Sequence, residues 1–109
     1  MQKIGAFYLR NNGGFVCAPA ANYIDENGNF NTSSNGGHIA LGQGVMFSPA
    51  DHGVPDGSTM QLYIWIEAGS DRTGSPFFEY DSTSNLNGEY DITGTTLKSD
   101  VHFDGVKSN

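Results

Sequence analysis

Turn-forming dipeptides recur along this chain of 109 residues and limit the length of any regular element. Asn-Gly is the strongest short-range signal for a β-hairpin, because both residues tolerate the positive φ angles of the tightest turns. No stretch carries the apolar period of a helix over three turns, so little or no helix is expected. The Asn-Gly pairs begin at Asn12, Asn27, Asn35 and Asn87, and the Asp-Gly pairs begin at Asp56 and Asp104.

The segments between these turns are short, rich in apolar residues and of ordinary strand length. A chain of this size holds one core, so residues 1–109 are predicted to form a single domain. The pattern favours an all-β fold, an antiparallel β-sandwich of about seven or eight strands. The predicted strands are Lys3–Leu9, Phe15–Ile24, His38–Leu41, Val45–Phe47, Thr59–Glu67, Ser75–Tyr80, Glu89–Ile92 and Thr96–Asp104.

The clearest alternation of apolar and polar residues spans Thr59–Glu67. One face of this segment is aliphatic and belongs in the core, whereas the other carries Tyr63 and Trp65 among polar residues. The last predicted strand, Thr96–Asp104, alternates in the same way and places Leu97 on its core side. Both segments are therefore predicted to be strands with one face in the core and one face exposed to solvent.

The charge balance narrows the classes of partner. Five Lys and Arg residues against twelve Asp and Glu residues give a net charge of −7, and the basic residues are scattered. Binding to nucleic acid needs clustered cations to neutralise phosphates, so no nucleic-acid partner is expected. Simple electrostatic capture by anionic lipid is disfavoured for the same reason, whereas a neutral headgroup or apolar insertion stays open.

Cys17 is the only cysteine, so no disulfide can form within the chain, and a buried apolar thiol is expected. Met1 is followed at once by a strand-like stretch, with no charged and then apolar leader and no run long enough to cross a membrane. We therefore expect the protein to be cytoplasmic or to be exported without a classical signal peptide.

The motifs of common catalytic sites are missing. The chain has no G-x-S-x-G, and its histidines, His38, His52 and His102, lie far apart without the spacing of metal ligands. A short chain with many turns also has few residues left to form the walls of a deep active-site cleft. We therefore expect a protein that is not an enzyme.

One acidic loop has the composition of a calcium site. Asp25, Asn27 and Asn29 place oxygen-bearing side chains at alternate positions, as in the opening of a calcium loop. The later bidentate glutamate and the flanking helices of an EF-hand are missing. A polar hairpin loop explains the same composition, so calcium remains an open alternative here, and no other cofactor is predicted.

The strongest positive signal is for sugar binding, in which aromatic faces stack on sugar rings and planar polar groups bind the hydroxyls. The segment that carries Tyr63 and Trp65 is followed by a predicted loop with an acidic and a basic residue. A second predicted loop, further along the chain, contains several amide side chains. A packed Trp and a surface ion pair are the alternatives. The candidate ligand-binding residues are Tyr63, Trp65, Asp71, Arg72, Asn85, Asn87 and Glu89.

Three stretches, Arg10–Val16, Gly53–Ser58 and Tyr90–Leu97, carry a likeness to a group of known proteins. In these stretches the chain resembles small leaderless β-sandwich proteins of microbes and fungi, a group that includes fungal lectins and the lipid-binding aegerolysins. The resemblance implies a soluble, acidic protein that recognises glycans or lipid headgroups. The several Trp residues of aegerolysins are not present.

Three hypotheses follow from these patterns. The first is a lectin-like protein that binds a glycan or glycoconjugate and gains avidity as a homo-oligomer, for instance by pairing of edge strands. The second is a membrane-binding toxin or toxin component that recognises a lipid headgroup, with Phe77, Phe78 and Tyr80 as interfacial anchors. The third is a structural protein that self-assembles.

Overall fold

Two β-sheets packed face to face account for most of the computed structural model, which describes residues 1–109. One sheet, here sheet A, has the order β1-β7-β6-β3-β4, and the other, sheet B, has the order β5-β2-β8-β9. A short 3-10 helix, Pro49–His52, is the only helical element. The strands are β1 (Lys3–Ile4), β2 (Ala6–Asn11), β3 (Cys17–Ile24), β4 (Phe30–Thr32), β5 (Gly44–Phe47), β6 (Thr59–Ile66), β7 (Arg72–Tyr80), β8 (Leu86–Gly94) and β9 (Ser99–Ser108).

The prediction of an all-β sandwich with almost no helix is confirmed, with one difference in the pairing. Most neighbouring strands are antiparallel, but β1 pairs with β7 and β2 pairs with β8 in parallel. The predicted first strand is split at Gly5, where the chain passes from sheet A to sheet B. A Cβ atom at Gly5 would lie 2.2 Å from the backbone oxygen of Ser84, so only glycine fits at this crossing.

The core lies between the sheets and uses the predicted alternation of β6. Met60, Leu62, Ile64 and Ile66 are buried, as the pattern predicts. Cys17 of β3 is also fully buried in this core, and burial raises the pKa of its thiol to about 11. The single cysteine is therefore a packing residue with no thiolate near neutral pH.

The turn dipeptides behave differently from the prediction, because none adopts two successive positive φ angles. Among the four Asn-Gly glycines only Gly28 has a positive φ angle. Asn87 and Gly88 lie inside β8, where Ile4 and Phe78 pack so closely on Gly88 that a Cβ atom there would be crowded. This glycine therefore lies at a close contact between the sheets and not in a turn.

Several strand boundaries also differ from the prediction. β4 was not predicted, and the predicted strand His38–Leu41 forms only a single bridge between Ile39 and Cys17. Leu97 does not face the core: it lies in the turn between β8 and β9 and is 69% exposed. An apolar residue at the tip of a turn has no sheet above it, which explains the difference.

The two ends of the sandwich differ in chemistry. At one end Leu41 and Leu97 lie in connections between strands, and we call it the leucine end. The connections of the other end contain several carboxylates and no Lys or Arg, and we call it the acidic end. The strand directions assign residues 12–16, 40–43, 67–71 and 95–98 to the leucine end, and residues 25–29, 48–58 and 81–85 to the acidic end.

A buried amide organises the leucine end. The Nδ2 group of Asn11 donates to the backbone oxygens of Phe15, at 2.6 Å, and Ile39, at 3.0 Å. Its Oδ1 atom accepts from the backbone N–H of Gly13 at 2.8 Å. Asn11 is completely buried, so these bonds are made away from competing water. One side chain thereby holds the connection after β2 against the segment that precedes β5.

We expect Asn11→Ala to lower the free energy of unfolding by about 2–4 kcal/mol, because it leaves the buried Phe15 oxygen and Gly13 N–H without partners and removes a second bond to the Ile39 oxygen. Urea unfolding followed by circular dichroism measures this change. The exposed neighbour Asn12 is the matched control, and Asn12→Ala should change the stability by less than about 0.5 kcal/mol. Equal losses in both variants would contradict the role assigned to Asn11.

Candidate functional site

Tyr63 and Trp65 lie on the outer face of sheet A, as the alternation of β6 predicts. The opposite residues on β3 are Ala20 and Ala18, which are buried although they also face outward. The ring of His38 stacks on Trp65, with 4.8 Å between the ring centroids and 21° between the planes. We call Tyr63, Trp65 and His38 the aromatic face. Trp65 is therefore half-buried on the surface and is not a core residue.

Asp71 is engaged within the fold. Its Oδ2 atom accepts a short hydrogen bond from the Tyr63 hydroxyl, and its Oδ1 atom accepts from the backbone N–H of Ile66 at 2.9 Å. The bond to Asp71 stabilises the neutral phenol and raises the pKa of Tyr63, with smaller contributions from burial and the carboxylate charge. The carboxylate thus closes the β6–β7 hairpin and fixes the Tyr63 ring.

Arg72 does not join the aromatic face. Its Nε–H donates to the hydroxyl of Ser99 on sheet B at 2.9 Å, so this side chain links the two sheets. It forms no ion pair with Asp71, since the ion pairs of the structure are Lys3–Glu79 and Lys107–Glu89. The neighbouring acid and base of the sequence therefore serve separate structural contacts.

The amide-rich loop lies on the other sheet. Asn87 and Glu89 are residues of β8, and Asn85 immediately precedes this strand at the acidic end. Glu89 pairs with Lys107 at 3.8 Å, and the buried Asn87 donates to the side-chain oxygen of Asn109. The seven predicted ligand-binding residues are thus divided between two sheets, and only Tyr63 and Trp65 share a surface with a neighbouring aromatic ring.

The predicted calcium loop is organised by its own hydrogen bonds. The Oδ1 atom of Asp25 accepts from the backbone N–H groups of Asn27, at 3.0 Å, and Asn29, at 2.9 Å. Nowhere in the chain do three or more His, Cys, Asp or Glu side chains gather as metal ligands would. These bonds account for the composition of the loop, and calcium binding there stays a prediction.

Sequence reasoning missed the exposed leucines of the leucine end. Leu41 is 65% exposed and Leu97 is 69% exposed, and each lies in a short connection. Leu41 is followed by Gly42, whose positive φ angle marks a turn. A leucine beside turn-forming residues could have indicated an exposed apolar side chain. The predicted strands His38–Leu41 and Thr96–Asp104 included both leucines instead.

The four connections of the leucine end are joined by backbone hydrogen bonds. Gly14 donates to Gly94 at 3.0 Å, and Ser70 donates to Thr96 at 3.1 Å. Gly42 donates to the backbone oxygen of Asn11 at 2.6 Å. The two leucines are thus presented by a platform of mutually bonded loops.

Basic residues are concentrated toward the same end. Lys98 lies in a connection of the leucine end, and Arg10 and Arg72 lie within one residue of strand ends there. The two remaining basic residues, Lys3 and Lys107, form ion pairs with glutamates. By the same criterion the leucine end also has three carboxylates, Glu67, Asp71 and Asp100, which balance its three bases. The connections of the acidic end contain five carboxylates and no Lys or Arg: Asp25, Glu26, Asp51, Asp56 and Asp81.

Comparison with known proteins finds likeness in structure alone. No protein-family model and no curated protein sequence matches the chain. The membrane-binding domain of pneumolysin is similar with a TM-score of 0.47 and 16% identity, over 96% of this chain and 96% of that chain. A non-hemolytic pneumolysin from Streptococcus pneumoniae gives a TM-score of 0.44, 15% identity and coverage of 96% and 23%.

Listeriolysin O is similar with a TM-score of 0.42 and 17% identity, over 96% of this chain and 22% of that chain. The chain therefore spans less than a quarter of the non-hemolytic pneumolysin and of listeriolysin O, and nearly all of the pneumolysin domain. A functional proposal depends on the chain's own residues. Among those residues, no helix has the length and apolar character needed to span a bilayer.

We expect Asp71→Asn to lower the pKa of Tyr63 toward the usual value of about 10, because the anionic acceptor is lost. The raised value means that this bond stabilises the fold below about pH 10 and that the stabilisation is lost as the phenol ionises. NMR titration of ring-labelled tyrosine, assigned with Tyr63→Phe, measures the shift. Glu67→Gln, on the same turn, should leave the pKa of Tyr63 unchanged, and an unchanged pKa in Asp71→Asn would refute the assignment.

Proposed function

We propose that this chain is a non-catalytic membrane-binding domain that contacts lipid through its leucine end. The observation that carries the proposal is the exposure of Leu41 and Leu97 on a platform of mutually bonded loops. Exposing two leucines to water has no benefit for the fold itself. Each leucine buried in an apolar environment would contribute about 1.5–3 kcal/mol to binding.

The charges favour the same orientation. Arg10, Arg72 and Lys98 would lie near lipid phosphates when the leucine end faces a bilayer. The carboxylates of the acidic end would then point away from the membrane. The leucine end is close to neutral, with Glu67, Asp71 and Asp100 against Arg10, Arg72 and Lys98, so the net charge of −7 does not accumulate at the proposed contact.

The aromatic face lies close to this end and suits the interfacial layer. Trp65 is the second-last residue of β6, which ends at the leucine end, and Tyr63 precedes it on the same face. Trp and Tyr are enriched where a bilayer meets water, since their rings are apolar and their N–H and O–H groups are polar. The predicted anchors Phe78 and Tyr80 are instead buried in the core.

The acidic end offers a weaker apolar surface. Phe30 and Ile24 form a cross-strand pair in the β3–β4 hairpin and are both exposed. The loop between them contains Asp25 and Glu26, which would have to approach the bilayer with the hairpin. Carboxylates are costly to dehydrate and are repelled by anionic lipid, and at this end no Lys or Arg lies in the connections to balance them, so this hairpin is the less favourable site of contact.

Vesicle binding tests the proposal directly. The protein should bind vesicles of phosphatidylcholine, or of phosphatidylcholine with phosphatidylserine or a sterol, in a flotation assay. Trp65, the only tryptophan, should shift its emission to the blue and be quenched by brominated lipid. We expect Leu97→Asp and Leu41→Asp each to weaken binding by at least about tenfold.

Phe30→Asp is the matched control, because it makes the same kind of change at the acidic end and should leave binding unaltered. The folds of the variants are compared by circular dichroism. Absence of binding to all these vesicles, or loss of binding in Phe30→Asp but not in the leucine variants, would reject the proposal.

Glycan binding on the aromatic face is a second candidate, supported by the exposed rings of Tyr63 and Trp65 beside the small residues of β3. His38 covers one face of the indole, so a sugar would have to stack on the remaining surface. Removal of His38 should therefore change sugar affinity, whereas Asn85→Ala, on the other sheet, should not.

A glycan array run in calcium and again in EDTA tests this candidate and the Asp25 loop together. Trp65→Ala should abolish any sugar signal while leaving the circular dichroism spectrum unchanged. Binding to pure lipid vesicles with a silent array would favour the membrane function. A defined set of sugars with no vesicle binding would favour the lectin.

A further inference from the structure

β9 is the longest strand of the sandwich, and only one of its edges is paired. It pairs with β8 along its length and is the last strand in sheet B. No backbone hydrogen bond outside the paired strands involves residues 99–108. Long strands with a free edge are open to pairing with another strand.

The pattern of hydrogen bonds identifies which backbone groups face this open edge. Thr95 and Lys98 exchange two hydrogen bonds, of 3.1 and 3.2 Å, and pairs of an antiparallel ladder alternate from there. By this alternation Val101 and Ile92 are opposite each other but do not exchange hydrogen bonds. The Ile92 oxygen instead accepts from the N–H of Asn12, on the side of β8 that faces β2. The backbone N–H and C=O groups of Val101 therefore point outward.

The same reasoning applies beyond the bulge, where the register shifts by one residue between Glu89 and Tyr90. Asn109 donates to Asn85, and the Leu86 oxygen accepts from Gly5 on the far side of β8. Val106 opposite Gly88 is consequently another pair whose β9 member points its backbone groups outward. β9 thus offers donors and acceptors in both halves of its free edge.

The side chains of this edge are complementary to themselves. If Val101 lies opposite Val106 of a second, antiparallel β9, then Asp100 lies opposite Lys107 of that second strand. Asp100 and Lys107 are on the same outer face of sheet B, since they pair with Thr93 and Asn87, and the Lys107 ammonium that would meet Asp100 of the second copy also pairs with Glu89 of its own chain. Two-fold symmetry makes this Asp–Lys pair occur twice.

We propose that two copies of this chain dimerise by antiparallel pairing of their β9 strands, in the register that opposes Asp100 and Lys107. The occupant of the free edge is then a second copy, because the required charge pattern is that of β9 itself. Phe103 of β9 and Phe77 of β7, the strand of sheet A that packs against β9, are 43% and 40% exposed, so apolar surface is available close to the pairing edge.

The symmetry of this dimer has a consequence that rests on the proposed membrane function. Antiparallel β9 strands point the two leucine ends in opposite directions. Both ends could not contact one bilayer, but they could contact two. The dimer would therefore link vesicles to one another, whereas a monomer would bind vesicles without linking them.

Sedimentation velocity over a range of protein concentrations tests the dimer without any lipid. As its concentration rises, the wild-type protein should change from monomer to dimer and form no larger species. Asp100→Lys and Lys107→Asp should each raise the dimer dissociation constant by at least about tenfold, because like charges then face each other twice. An equimolar mixture of the two variants should dimerise again, since every facing pair in the mixed dimer is Asp with Lys.

Glu26→Lys is the control, because it makes the same charge reversal at the acidic end and should leave dimerisation unchanged. Val101→Pro removes an outward donor without removing a hydrogen bond to β8 and should also give monomers. A monomer at every concentration would overturn the dimer. Growth beyond a dimer, or dimerisation that all these variants leave intact, would overturn the β9 interface.

Vesicle turbidity separates this inference from the proposed function. Wild type should aggregate vesicles, whereas Asp100→Lys should bind them in flotation without aggregating them. A dimer that fails to bind vesicles would refute the membrane function alone, and vesicle binding by a strict monomer would refute the dimer alone.

Discussion

The buried amide of Asn11 is the contact on which the leucine end depends. Where the backbone leaves a sheet, its N–H and C=O groups need new hydrogen-bond partners. The fully buried side chain of Asn11 bonds to three such groups, those of Gly13, Phe15 and Ile39. Through it, the connection after β2, the bridge at Ile39 and the turn that carries Leu41 become one unit. An apolar side chain in this position would fill the space but leave the Phe15 oxygen and the Gly13 N–H without partners.

This arrangement explains how a fold with many turns can present a defined surface. The loops at the leucine end are short and bonded to one another, so little conformational entropy is lost when they meet a partner. The acidic end has a different organisation, in which Asp25 binds the backbone of its own loop. The two ends are therefore held in different ways, one by hydrogen bonds between its connections and the other by bonds within a single loop.

The sequence predicted those features that depend on neighbours along the chain. Alternation in β6 identified both the buried aliphatic residues and the outward Tyr63 and Trp65. Arg72 could not be placed in this way, because its contact with Ser99 depends on how the second sheet lies over the first. Leu97 was assigned to a strand, because the alternation of apolar and polar residues fits several positions of the β8–β9 turn. In the structure Thr96 and Leu97 form the tip of that turn. Glycines were similarly ambiguous, because Gly88 follows an asparagine as a turn glycine would but lies within β8, where Ile4 and Phe78 approach it closely.

The two parallel pairings make the order of synthesis matter. β1 and β2 are made first, but their parallel partners β7 and β8 follow only about eighty residues later, at synthesis rates of some 5–20 residues per second. Until then β2 can pair only with β5, and the outer strands of both sheets are open. The nascent chain therefore spends several seconds with unsatisfied strand edges, so chaperones that shield such edges should influence its yield more than its final stability.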